Sequence, residues 1–195
     1  VFELRKALSK YLKEFRNMKV SPNQIIIGSG TESLYTMVVQ LLGRKMRYAV
    51  ENPGYKKVSK AFQLNKADVF PVLIDSNGID SASLEKIGAN VVHISPSHHF
   101  PTGIVMPVKR RQELLSWAQK ENHYIIEDDY DSEFRFIGKP LNTLQSEDKN
   151  GSVIYINTFS KTLSPSFRIS FMVLPEKLLH TFEEKFNFFT SGVSS

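Results

Sequence analysis

The sequence predicts an α/β domain, three layers deep (α/β/α) around a mostly parallel seven-stranded sheet, and two observations carry that prediction. Seven short apolar runs have the length and β-branched content of buried strands, and helical segments lie between most of them. Strand and helix alternating in this way require crossovers that cover the faces of a parallel sheet. A third observation says where function should be sought. The stretches 96–107 and 128–150 break the rhythm, and long loops in compact domains are usually functional.

Leu4, Leu8, Tyr11, Leu12 and Phe15 recur at helical spacing, which predicts an amphipathic helix over 2–17 that ends before the Ser21-Pro22 turn. The strands are expected at Gln24–Gly28, Arg47–Glu51, Ala67–Leu73, Asn90–Ser95, Tyr124–Glu127, Val153–Asn157 and Ile169–Leu174. Between them, Thr31–Leu42 places Leu34, Val38 and Leu41 on one face, and further helices are expected at 55–64, at 81–87 and over Val108–Glu121, where Leu114, Leu115 and Ala118 form the apolar stripe. In open α/β sheets ligands bind at the carboxyl ends of the strands, so the unusual residues matter most just after each strand.

A chain of 195 residues is one substantial domain or one domain with a fragment attached, and 41% hydrophobic with 23% charged residues excludes a disordered chain. The net charge of +5 is spread along the length, without the basic block that marks a nucleic-acid arm. No cysteine is present, which excludes disulfides and thiolate metal sites and fits a reducing, cytoplasmic setting. No run approaches the ~18 apolar residues of a membrane span, and the N-terminus lacks a signal-peptide pattern, so no membrane partner is expected. The chain starts at Val1 inside a helical pattern and stops in a polar tail at 190–195, as a piece of something longer would.

Three strand ends carry chemistry. After the first comes Gly28-Ser29-Gly30-Thr31-Glu32-Ser33, a glycine-bearing turn that opens a helix and whose free amides suit a phosphate. Ser33 stands where a dinucleotide fingerprint needs its third glycine, and a plain connection is the competing reading. After the fifth comes Glu127-Asp128-Asp129-Tyr130-Asp131-Ser132-Glu133. Five carboxylates in seven residues are costly unless a metal, a protonated organic cofactor or nearby Lys and Arg answer them, or unless the turn is simply solvated. After the sixth comes Thr158-Phe159-Ser160-Lys161, with Arg168 seven residues beyond the lysine. A strand-end lysine among hydroxyls can be a desolvated amine that condenses with a carbonyl, although a lone lysine is more often a surface charge. An aldehyde partner, a cation partner and a phosphate cradle together are the requirements of pyridoxal phosphate. In the remaining loop, Ser95-Pro96-Ser97-His98-His99-Phe100-Pro101-Thr102-Gly103, no third ligand succeeds the adjacent histidines at a metal-site spacing. They are expected to line a pocket, and no metal is expected.

Taken with Glu51-Asn52-Pro53-Gly54-Tyr55 and with Ile125-Ile126 and Phe134-Arg135 around the carboxylate run, these motifs resemble the fold-type I aminotransferase superfamily, and within it the aminotransferase-like domain of MocR/GabR-type regulators of the GntR family. The similarity runs over essentially all of the chain. It implies that Lys161 joins the aldehyde of pyridoxal 5'-phosphate, Asp128 pairs with the pyridine nitrogen and Tyr130 bonds the phenolic oxygen. It further implies that Gly30, Thr31, Thr158, Ser160 and Arg168 hold the phosphate and that Tyr55 stacks on the ring. Phe100 stands where ordinary aminotransferases have asparagine, Ser170 where many relatives have glycine, and Lys56 and Lys57 where some regulators use an arginine for an effector carboxylate.

The resemblance also implies a winged-helix DNA-binding domain before these residues and a small domain after them. The expectation is therefore that 1–195 is a single cofactor-binding large domain lacking both, that DNA is reached only through the absent domain, and that the full protein is a homodimer. The expected function is sensing of a small amino compound. The alternatives are a working aminotransferase acting on an amino acid and a keto acid, and a folded remnant without cofactor.

Overall fold

The structure is a computed structural model and describes residues 1–130, 141–158 and 169–186. Among these residues seven strands form one sheet: β1 (Ile25–Gly28), β2 (Arg47–Asn52), β3 (Asp68–Leu73), β4 (Val91–Ile94), β5 (Tyr124–Asp128), β6 (Val153–Thr158) and β7 (Ser170–Val173), in the spatial order β1-β7-β6-β5-β4-β2-β3. From β3 to β6 every neighbour is parallel, and β7 runs antiparallel to both β6 and β1. The largely parallel sheet expected from the sequence is present, and every expected strand is found with ends shifted by about one residue. Pro71 cannot donate to a ladder, and it lies on β3, the edge strand.

The strand faces sort by the alternation of a pleated sheet. Ile26, Tyr48, Val50, Val91, Ile126, Ile154, Ile156 and Met172 pack on one side against α2 (Thr31–Leu42), α3 (Lys56–Leu64) and α7 (Glu176–Phe186). On the other side Val92, Ile94, Ile125 and Val153 meet α4 (Ser81–Ile87), α5 (Val108–Trp117) and the short α6 (Leu144–Glu147), while Ile25, Ile27, Tyr155, Phe171 and Val173 meet α1 (Phe2–Arg16). Three layers result, as the alternation requires.

Differences from the sequence expectation lie in the helices. The α5 helix stops at Trp117, short of the expected Glu121, with Ala118 as its C-cap. The helices α6 and α7 were not anticipated. Among the described residues no helix is long and apolar enough to cross a membrane.

The parallel strands end together. The register aligns Thr158 and Gly28 with Ser170 between them, and Asp128 lies beside Ile156 on the neighbouring strand. One edge of the sheet thus gathers the ends of β1, β5 and β6, together with the chain that leaves β4 at Ser95.

Candidate functional site

A cavity of about 370 Å³ opens at this edge. Gly30, Thr31, Tyr55, Asp128, Tyr130 and Thr158, six residues singled out in the sequence, line it together, and Glu32, Tyr35, Ser95 and Phe100 complete the wall. Lys161, Ser160 and Arg168 lie outside the described residues, as do Asp131, Glu133 and Arg135 of the carboxylate run.

Each wall has its origin in local chemistry. Gly30 is the N-cap of α2 at φ 97°, a conformation that favours glycine, and it turns the chain so that the first-turn residues face the cavity. Ser33 folds back and donates its hydroxyl to the Gly30 carbonyl at 2.7 Å, which fixes the turn. At the end of β2, Gly54 permits a tight approach, because a Cβ there would stand 2.2 Å from the Glu51 carbonyl oxygen. Tyr55 comes next, at the start of α3, and meets Phe100 edge-on with ring centroids 6.0 Å apart.

The loop after β4 is held from beneath by Arg111. Its buried guanidinium donates to the carbonyls of Met106 at 3.0 Å, Pro96 at 2.8 Å and Asn142 at 2.9 Å. The adjacent histidines diverge in their contacts. His98 rests edge-on against Tyr130, whereas buried His99 bonds Thr102 through Nδ1 at 2.7 Å and brings Nε2 to 3.5 Å from Glu51. Glu51 also accepts the Ser95 N–H at 3.0 Å, and burial pushes its carboxyl up to about 8.

The carboxylate run separates into distinct roles. Glu127 is fully buried and accepts the N–H groups of Leu144 at 2.9 Å and Gln145 at 3.0 Å, at the start of α6. Burial, with Asp129 close by, pushes it up to about 7 despite those donors. Asp129 pairs with Arg16 of α1 at 2.5 Å and accepts the Tyr155 hydroxyl at 2.7 Å. Asp128 reaches the cavity. Its Oδ2 accepts the Tyr35 hydroxyl at 2.7 Å and lies 3.5 Å from His93 Nε2, while its Oδ1 is buried without a hydrogen-bond partner among the described residues.

Glu32 and Ser95 stand within motifs singled out in the sequence but carry no role there, and Tyr35 lies outside them. For Tyr35 a signal existed, since it stands four residues after Thr31 and so on the same face of α2 one turn on.

Comparison with known proteins gives a consistent picture. Residues 2–195 match the family described as aminotransferase class I and II. The uncharacterized HTH-type transcriptional regulator YdeL of Bacillus subtilis is 39% identical over 99% of this chain and 42% of its own length. The probable rhizopine catabolism regulatory protein MocR of Rhizobium meliloti is 33% identical over 92% of this chain and 37% of its own. The chain thus spans about two fifths of the length of these relatives. Among solved structures, an archaeal alanine:glyoxylate aminotransferase superposes with a TM-score of 0.84 at 27% identity, over 95% of this chain and 48% of the other. The kynurenine aminotransferase of Pyrococcus horikoshii, solved with PMP, gives 0.81 at 29% identity over 93% and 47%.

Proposed function

Because the chain belongs to the aminotransferase class I and II family, we propose that it is the large, cofactor-binding domain of a GntR/MocR-type transcriptional regulator, holding pyridoxal 5'-phosphate and sensing a small amino compound. One observation carries the cofactor reading. The cavity wall holds a buried carboxylate, Asp128, whose Oδ1 has no partner among the described residues, opposite a glycine turn that opens a helix. A buried acceptor without a donor is costly, and a protonated pyridine nitrogen supplies both the donor and the charge. The cavity is also of a size that takes a small cofactor.

Pyridoxal phosphate, when bound, supplies an aldehyde that condenses with primary amines and a ring that withdraws electrons from the attached atoms. The chain's own residues would bind and orient it. Asp128 would hold the pyridine nitrogen and Tyr130 would donate to the phenolic oxygen. The first-turn amides of α2 at Gly30 and Thr31, with Thr158, Ser160 and Arg168, would hold the phosphate. Tyr55 would cover the ring face, and Lys161 would be the attachment amine. Phe100 presents an apolar ring to the cavity, so it cannot donate to the cofactor's phenolic oxygen as an amide side chain could.

The regulator reading rests on the relatives' names and on Phe100. In it the effector amine competes for the cofactor aldehyde, DNA is contacted by a further domain, the full protein is a cytoplasmic homodimer, and chemistry serves sensing. The likeness to the two aminotransferases favours a second reading, turnover of an amino acid with a keto acid. Mixing the protein with pyridoxal phosphate and fixing the adduct with borohydride tests the cofactor reading. Attachment is expected in the wild type and its loss in Lys161→Ala, and equal trapping in both would overturn Lys161 as the attachment point. A panel of amino donors and keto acids then separates the two functions. Robust turnover with any donor would establish the enzyme and displace the sensor.

A further inference from the structure

The α2 helix touches both ends of the cavity's polar wall. Its first residues, Thr31 and Glu32, form one end. One turn later, about 6 Å along the axis, Tyr35 sends its hydroxyl across to Asp128 Oδ2 at 2.7 Å. Both partners are buried, and the Tyr35 ring is packed by two neighbours. Its ring meets Phe62 of α3 edge-on at 5.6 Å and His93 of β4 edge-on at 5.5 Å. The phenol cannot swing away without disturbing that cluster. With Oδ2 taken by Tyr35 and approached by His93 at 3.5 Å, the oxygen left for a ligand is Oδ1.

Resting on the cofactor reading above, we propose that Tyr35 is a positioning residue for the pyridine nitrogen: its hydrogen bond selects which oxygen of Asp128 faces the ligand, and its place on α2 locks that oxygen to the phosphate cradle at the helix start. The geometry has three consequences. The carboxylate cannot rotate freely, so less ordering is left for binding to impose. The tie is carried by a continuous helix rather than by a loop, so the spacing between cradle and carboxylate is fixed before a ligand arrives. The contact acts on one atom of the ligand only, and a ligand without that nitrogen should be indifferent to it.

The last consequence is testable. Pyridoxal phosphate and its 1-deaza analogue, which has carbon in place of the ring nitrogen, are titrated into wild type, Tyr35→Phe, Asp128→Ala and the double variant. Tyr35→Phe removes the hydroxyl and keeps the ring in its aromatic cluster. It is expected to weaken pyridoxal phosphate about tenfold and to leave the deaza analogue within about twofold. In the Asp128→Ala background it should add nothing, because the partner is gone. Equal loss for both ligands, or full additivity with Asp128→Ala, would overturn the positioning role while leaving the cofactor reading intact. Failure of the wild type to bind pyridoxal phosphate would overturn both.

A measurement that spares the fold completes the test. With 3-fluorotyrosine at position 35 the hydroxyl is kept, and the fluorine resonance should shift further with pyridoxal phosphate than with the deaza analogue. Equal shifts would sink the proposal.

Discussion

Asp128 and Asp129 are neighbours in sequence, both are buried, and each accepts a tyrosine hydroxyl at 2.7 Å, yet their surroundings differ in one respect. Asp129 has the guanidinium of Arg16 against it. Asp128 has no arginine or lysine in ion-pair contact among the described residues, and His93 at 3.5 Å is its nearest basic group there. The same pair of residue types, a tyrosine and an aspartate, thus closes a structural joint on one side of the sheet and an open site on the other. Two more carboxylates in this region show other ways of tolerating burial. Glu127 is answered by two backbone donors at the start of α6, and Glu51 by keeping its proton, since burial pushes it up to about 8. Asp128 is met by neither an arginine nor backbone donors at its Oδ1, and this unpartnered oxygen in the cavity wall is set up for a donor that arrives with a ligand.

The largest effect should come from breaking the joint. Asp129→Ala leaves the Arg16 guanidinium buried, and stripping one member from a buried pair typically costs about 3–5 kcal/mol. Urea unfolding should show that loss, with α1 detaching from the sheet. Asp128→Ala removes no guanidinium partner. The cofactor-free protein should lose about 1–3 kcal/mol, the cost of leaving the Tyr35 hydroxyl without its acceptor, whereas affinity for pyridoxal phosphate should fall by at least about tenfold. If the two variants lost stability and affinity in parallel, the distinction between joint and site would fail.

A second effect tests the proton-holding answer at Glu51. Its ordinary value is 4.5 and burial raises it to about 8. The native state therefore keeps a proton that the unfolded chain releases between those values. Stability from this group is fully present below pH 4.5, declines as pH rises, and is gone once pH passes about 8. Burial also holds the neighbouring His99 imidazole below its ordinary value. Glu51→Gln keeps an acceptor for the Ser95 N–H and does not titrate. Between pH 5 and 8.5 it should gain on the wild type by roughly 2–4 kcal/mol, read from urea midpoints at both pH values. Parallel curves for the two proteins would show that Glu51 is ionised in the fold.

Much of this was legible in the sequence, for identifiable reasons. Strands buried on both faces are short, largely apolar runs, so Gln24–Gly28 and Tyr124–Glu127 stand out in the sequence, and the polar residues at and just beyond their carboxyl ends mark the site. The α6 helix was illegible because it is four residues long and its first amides are answered by Glu127, seventeen residues earlier. In α7, Leu178, Phe182 and Phe186 do keep helical spacing, but they form one narrow stripe among charged residues, beside a segment expected to be a polar tail. Tyr35 was hidden more deeply. Within an apolar helix it looks like one more core aromatic, and its partner lies 93 residues away. The division of labour between Asp128 and Asp129 needed Arg16, which sequence alone gives no reason to bring to β5.

The smallest effect concerns Ser170. Its side chain is fully buried between Gly28 and Thr158, and its hydroxyl donates to the Gly28 carbonyl at 3.1 Å. The bond ties β7 to β1 directly behind the glycine turn, where space is short, since a Cβ at Gly28 would come within 2.7 Å of Leu34. Ser170→Ala loses one neutral hydrogen bond and keeps the Cβ, for about 1 kcal/mol. Ser170→Gly also loosens a strand interior, which adds roughly 0.5–1 kcal/mol. The hydroxyl points at a carbonyl and Ser170 is not part of the cavity wall, so pyridoxal phosphate affinity should stay within about twofold in both variants. A loss beyond fivefold in Ser170→Ala would mean that the bond supports the geometry of the Gly30 turn, and would move Ser170 from the joint to the site.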